Sequence, residues 1–167
     1  DVIKVGRHVE LECLDTPGHT LCHICLFAHT DQPALFSGDT LFNAGAGNVH
    51  NGGNIDALYS TFSEQIAGLP DNTALYPGHD YTENNLRFTL AREPGNQDAQ
   101  ALLAQVADRD PAQMPVTTLG QEKAVNTFMR LDAPELVARL RTEFPDIGTE
   151  PGAKAVFQRL RELRNVW

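Results

Sequence analysis

Positive charge is scarce in this chain. Lys and Arg number 13 against 22 Asp and Glu, a net charge of −9 over 167 residues. A surface of that sign repels phosphate backbones and anionic headgroups, which argues against nucleic acid or a membrane surface as the main partner. Long apolar runs are missing too. None approaches the length of a membrane span, and the first residues show no signal-peptide pattern. Cysteine is limited to Cys13, Cys22 and Cys25. An odd count without a secretory pattern points to reduced thiols and a cytoplasmic setting. Cys22-His23-Ile24-Cys25 has the spacing of a metal or redox pair. On a strand, however, positions three apart face opposite sides, so buried, inert thiols are expected. An initiator Met is also lacking, and strand character begins at once with Val2-Ile3-Lys4-Val5, so an excised piece is expected.

Three short turns carry the chemistry. Thr16-Pro17-Gly18-His19-Thr20, Ser37-Gly38-Asp39-Thr40-Leu41-Phe42 and Tyr76-Pro77-Gly78-His79-Asp80-Tyr81 each end an apolar run and present a ligand-type side chain after a glycine. The glycine lets the backbone turn sharply, so the side chain projects from a strand end. His19, Asp39 and His79 form a borderline-hard donor set suited to Zn²⁺ or Fe²⁺. No Ser or Cys nucleophile with triad partners is evident.

Hydrophobic content of 41% and charged content of 21% fit a soluble globular chain. Leu21 to Ala28 is a nearly continuous apolar run, as for a strand buried on both faces. Thr30-Asp31-Gln32-Pro33 reads as a hairpin turn, and Ala34-Leu35-Phe36 as the next strand. Residues 44–53 are glycine-rich without a phosphate-loop context, which leaves a flexible connector or a wall of the site opened by Asp39. Ile55, Leu58, Phe62, Ile66 and Leu69 fall at helical spacing. Ala74-Leu75-Tyr76 is a short strand delivering His79, and a helix over 82–92 follows it. Beyond residue 94 strand signals vanish, and helices are expected over 97–107, 119–130, 134–144 and 152–165. Thr118 and Gln121 have capping-box spacing, and Pro134 suits a first helical turn. A boundary near residue 94 therefore divides an α/β part, 1–94, from an all-α part, 95–167. Arg161 and Arg164, three apart on the last helix, share a face: either a solvated surface or a carboxylate clamp.

Together these residues resemble glyoxalase II, the hydroxyacylglutathione hydrolase family of the metallo-β-lactamase superfamily. The likeness extends through Tyr81-Thr82-Glu83-Asn84-Asn85-Leu86, Glu93-Pro94-Gly95-Asn96, and Thr117-Thr118-Leu119-Gly120-Gln121-Glu122-Lys123 with Phe128-Met129-Arg130. It implies the second half of an αββα sandwich followed by an all-α C-terminal domain. It implies that His19 and His79 each bind one of two divalent metals, most often Zn, with Fe or Mn as options, and that Asp39 bridges them. It implies that Tyr81, Asn85, Arg161 and Arg164 contact a glutathione thioester. Asn48 and His50 stand where relatives often carry a basic and an aromatic residue that touch glutathione. The four remaining ligands of the family lie on a His-x-His-x-Asp-His segment absent from these 167 residues.

The resulting expectation is a metal-dependent hydrolase that splits a hydroxyacylglutathione into a hydroxyacid and glutathione by a bridging activated water. The chain alone is expected to be incomplete and inactive, with an uncovered sheet face available for association. One alternative is a mononuclear iron enzyme of the persulfide dioxygenase type, which leaves His79 unused. Another is a non-catalytic partner module.

Overall fold

In the computed structural model, which describes residues 1–110 and 113–167, a five-stranded mixed sheet lies against helices. Strands β1 (Val2–Val5), β2 (Val9–Asp15), β3 (Ile24–Ala28), β4 (Ala34–Gly38) and β7 (Ala74–Pro77) run in the order β1-β2-β3-β4-β7. The first four are antiparallel neighbours, and β7 pairs parallel to β4 with an irregularity between Phe36 and Gly38. The strands β5 (Leu41–Phe42) and β6 (Gly45–Ala46) make a small separate ribbon. The crossover from β4 to β7 contains α1 (Ile55–Ser60), which continues as a π-helix over Thr61–Ile66. The remaining helices are α2 (Thr82–Arg92), α3 (Gln97–Ala107), α4 (Leu119–Val125), α5 (Pro134–Glu143) and α6 (Ala153–Asn165).

Strand alternation sorts the side chains. Cys25, Phe27, Leu35 and Leu75 point to one face of the sheet and are buried there. They pack with Leu58, Phe62 and Ile66 of the crossover and with Phe88, Phe128, Phe157 and Leu160 of later helices. Phe157 touches Phe62 and Phe128 edge-on at 5.3 and 5.2 Å between ring centres. The other face is bare. Cross-strand register places Ile3, Leu11, Cys13, Leu26, Phe36 and Tyr76 on it, with Phe36 and Tyr76 stacked at 5.3 Å and both more than 40% exposed.

The expected strand from Leu21 begins three residues late. The chain around His19 is still turning there, with Thr16 N–H bonded to the His23 carbonyl and Gly18 N–H to the Thr20 carbonyl. Leu21 and Cys22 are consequently exposed, so of the Cys22–Cys25 pair expected to be buried only Cys25 is; Cys13 is half-buried. Burial pushes the Cys25 thiol up, against hydrogen bonds from Thr16 and Thr40. The strand is also buried on one face, not two: Ile24 is exposed and Leu26 half-buried. The helix read from Leu119 stops at Val125. The Asn126 side chain caps Phe128 N–H and donates to the Phe42 and Gly45 carbonyls, which restarts the chain as a 3₁₀ turn over Thr127–Met129. The capping box of Thr118 and Gln121 is present.

Glu122, on α4, ties the β5–β6 ribbon to the helices. Its carboxyl is fully buried and receives Ala44 N–H at 2.7 Å, Thr117 Oγ1 at 2.6 Å and Asn126 Nδ2 at 3.0 Å. Burial outweighs these donors and raises the carboxyl from 4.5 to about 7. The folded chain therefore holds this proton more tightly than the unfolded chain does. The resulting stability is fully present below pH 4.5 and is lost as pH rises to about 7, for a total on the order of 3 kcal/mol. Glu122→Gln mimics the protonated acid and is expected to flatten that part of the stability-pH curve. Denaturant melts from pH 4.5 to 7.5 check it, and an unchanged slope contradicts it.

Candidate metal and substrate site

Three strand ends converge at one edge of the sheet. His19 leaves the turn before β3, Asp39 follows β4, and His79 follows β7. The Asp39 carboxylate lies between the two imidazoles. Its Oδ2 is 3.6 Å from His19 Nε2, and its Oδ1 is 3.4 Å from His79 Nε2. Gly38 has φ of 50°, a left-handed conformation that brings Asp39 into this position. Gly47 stands where no side chain fits: a Cβ there would lie 1.9 Å from the Asp39 carbonyl oxygen.

The hydrogen bonds fix the His19 ring. Its Nδ1 is 2.7 Å from the Asn48 carbonyl, which only accepts, so Nδ1 carries the proton. Nε2 then turns a lone pair towards the Asp39 carboxylate. Two lone-pair groups facing one another attract only when a cation or proton lies between them. A carbonyl partner on the far nitrogen is also the usual support of a metal-bound His. The donor set therefore fits divalent metal, with Asp39 offering one oxygen to each imidazole. Among the described residues, no group of three His, Cys, Asp or Glu could hold an ion unaided.

His23 supports Asp39 from below, a part that the Cys22–Cys25 spacing does not suggest. Its Nε2 accepts the Asp39 N–H at 3.2 Å, and its Nδ1 lies 2.9 Å from Thr40 Oγ1 and 3.1 Å from Thr16 Oγ1. Burial, then the nearby His19, lowers its basicity against an opposing pull from Asp39. A His bracketed by two Thr-bearing turns is a sequence signal for this part.

Beside this group lies a cavity of about 360 Å³. Asn48, His50, Tyr81, Asn85, Arg161 and Arg164, all read from the sequence as substrate contacts, line it. Phe42 and Asn84, both within the quoted motifs but given no role there, join them, as do Ala46 and Asn165. Phe42 connects cavity and cluster, with its ring 5.2 Å from Tyr81 and 6.2 Å from His79. The glycine-rich segment is thus a wall of the site and largely buried from Ala44 to Gly47. Burial and then the Arg164 charge lower Arg161 to about 10, and burial also lowers Arg164, opposed by Tyr81.

A Staphylococcus aureus metallo-β-lactamase shares the fold, with a TM-score of 0.54 at 23% identity over 98% of this chain and 42% of that one. The class is therefore the metallo-β-lactamase fold. Within it, the model of the family described as hydroxyacylglutathione hydrolase C-terminus matches residues 80–167, and the chain belongs to that family. A hydroxyacylglutathione hydrolase from Polaromonas is 71% identical over the whole chain, and one from Nitrosococcus oceani is 60% identical. The chain spans 64% of the length of each.

The contact at Gly47 is testable. Gly47→Ala is expected to cost about 1–3 kcal/mol through overpacking against Asp39. Gly68→Ala, with nothing within 4 Å of the added methyl, is expected to stay within about 0.5 kcal/mol of the parent. Equal melting behaviour of the two variants contradicts the tight contact.

Proposed function

We propose that this chain is the C-terminal part of a metal-dependent thioester hydrolase acting on hydroxyacylglutathione. The observation that carries the reading is the cavity: six residues expected to contact glutathione line one space, next to His19, Asp39 and His79. We read residues 1–94 as half of the sandwich domain and 95–167 as the helical, glutathione-binding domain. His19 and His79 would each hold one metal and Asp39 both, with Zn favoured and Fe or Mn as alternatives. His79 at 3.4 Å from Asp39 favours this reading over a mononuclear site that leaves it unused.

When bound, the metal pair supplies Lewis acidity towards water and the thioester carbonyl. The chain's own residues provide alignment. The Asn48 carbonyl holds His19 in one tautomer, and His23 holds the backbone at Asp39. Arg164 donates Nε and Nη2 to Asn85 Oδ1 at 3.2 and 3.1 Å, which braces its fork at the cavity wall. A glutathione carboxylate suits that fork, and the Asn side chains suit its peptide groups.

Two outcomes are expected. In the full natural open reading frame that encodes these residues, Arg164→Met should raise KM for S-lactoylglutathione about 10- to 100-fold, with kcat within a few fold, since a charge-assisted bond is worth about 1.5–3 kcal/mol. Steady-state kinetics decide, and an unchanged KM removes Arg164 from substrate binding. Residues 1–167 alone should self-associate through the bare face and hydrolyse poorly or not at all, because exposed apolar patches beyond a few hundred Å² are unusual on monomers. Sedimentation with a thioesterase assay tests this. A monomer with normal turnover contradicts the half-sandwich reading.

A further inference from the structure

The two arginines of α6 share a helix face, yet their surroundings differ. Arg161 is 4% exposed and enclosed by protein acceptors. Its Nη1 donates to the Ala46 carbonyl at 2.7 Å and to the Gly47 carbonyl at 3.1 Å, and its Nε donates to Asn165 Oδ1 at 3.0 Å. Its guanidinium lies 5.5 Å from the Phe128 ring centre. Arg164 is half-buried and bonds only Asn85 among the described residues.

The carbonyls that Arg161 holds precede Asn48, whose own carbonyl receives His19 Nδ1–H. Because a peptide unit is planar, fixing the Gly47 carbonyl fixes the peptide that enters Asn48. The opposite side of this strip is pinned by Gly47 N–H donating to the Thr40 carbonyl at 3.0 Å. Gly45 and Gly47 give the strip large intrinsic freedom, so its position depends on these few bonds. We propose that Arg161 is a positioning residue for His19, acting through the Ala46 and Gly47 carbonyls. This rests on the reading of His19 as a metal ligand and of the cavity as a glutathione site. It assigns Arg161 a task beyond the carboxylate clamp expected from its spacing. It also makes the last helix a determinant of metal binding at the far end of the chain.

The test uses the full natural open reading frame with Arg161→Met, Arg161→Lys and Arg164→Met. In metal-free protein, ¹⁵N-histidine NMR reports the His19 tautomer, and in parallel Zn²⁺ affinity is measured by competition with a chromophoric chelator. Arg161→Met should lose the single Nδ1–H tautomer and weaken Zn²⁺ binding about 10- to 100-fold, the usual scale for losing a ligand's supporting contact. Arg164→Met should leave both unchanged and alter KM. Should Arg161→Met fail to fold by circular dichroism, Arg161→Lys decides. It keeps the charge but cannot hold both carbonyls and Asn165, so an intermediate loss is expected. A parental tautomer and parental Zn²⁺ affinity in whichever Arg161 variant folds overturn the proposal. Should the parent hydrolyse no glutathione thioester while Arg161→Met still shifts His19, the substrate reading fails and the positioning role stands.

Discussion

The site depends on one close backbone approach, the strip Gly45–Asn48 lying against the turn that carries Asp39. There is no room for a side chain at Gly47, where a Cβ would collide with the Asp39 carbonyl. The strip is held on one side by Thr40 and on the other by Arg161, and from it the Asn48 carbonyl reaches His19. Two metal-type ligands from different strand ends thus take their placement from one short segment. Interiors are close-packed, so a displacement of this segment has few directions in which to relax.

Glu122 performs a related task one layer further back. Ala44 has φ of 55°, unusual for a residue with a Cβ, and its N–H is met by the buried carboxyl. Asn126 adds donations to the Phe42 and Gly45 carbonyls. An acid on α4 and an amide after it therefore impose the path of the ribbon that leads into the strip. Buried polar networks of this kind are stabilising only while every member is satisfied, since a lone buried acceptor costs free energy. The arrangement explains why a helical segment distant in sequence belongs to the mechanics of the ligand cluster.

The sequence made the three converging turns legible because each couples an apolar run to a glycine and a donor side chain. The helices over 82–92 and 97–107 were legible for a similar reason: Pro94-Gly95 separates them, and Asn96 caps the second. Hydrophobicity alone misled at Leu21, where apolar residues lie in the turn that carries His19 and tertiary hydrogen bonds outweigh strand preference. It also misled after Val125, where Asn126 uses its side chain on the ribbon instead of extending the helix. The π-helix after Ser60 continues the spacing of Phe62 and Ile66, so periodicity does not mark it. The roles of His23 and Glu122 were illegible because their partners are brought near by topology, from strands and turns that no local pattern connects.

Spacing could show that Arg161 and Arg164 share a face, and chemistry could show that both suit a carboxylate. Neither could show how deeply each is buried. In a chain of net charge −9, a cation that is both buried and near a second cation needs compensating acceptors. Arg161 finds backbone carbonyls, whose dipoles offset the loss of water without neutralising the charge. Arg164 keeps a partly exposed fork beside Tyr81 and Asn85. The pair therefore places two cations at the cavity wall, against the sign of the whole chain, with Arg164 the more exposed of the two. Under the proposed function, local geometry at the end of α6, not net charge, sets which small ligands the cavity favours.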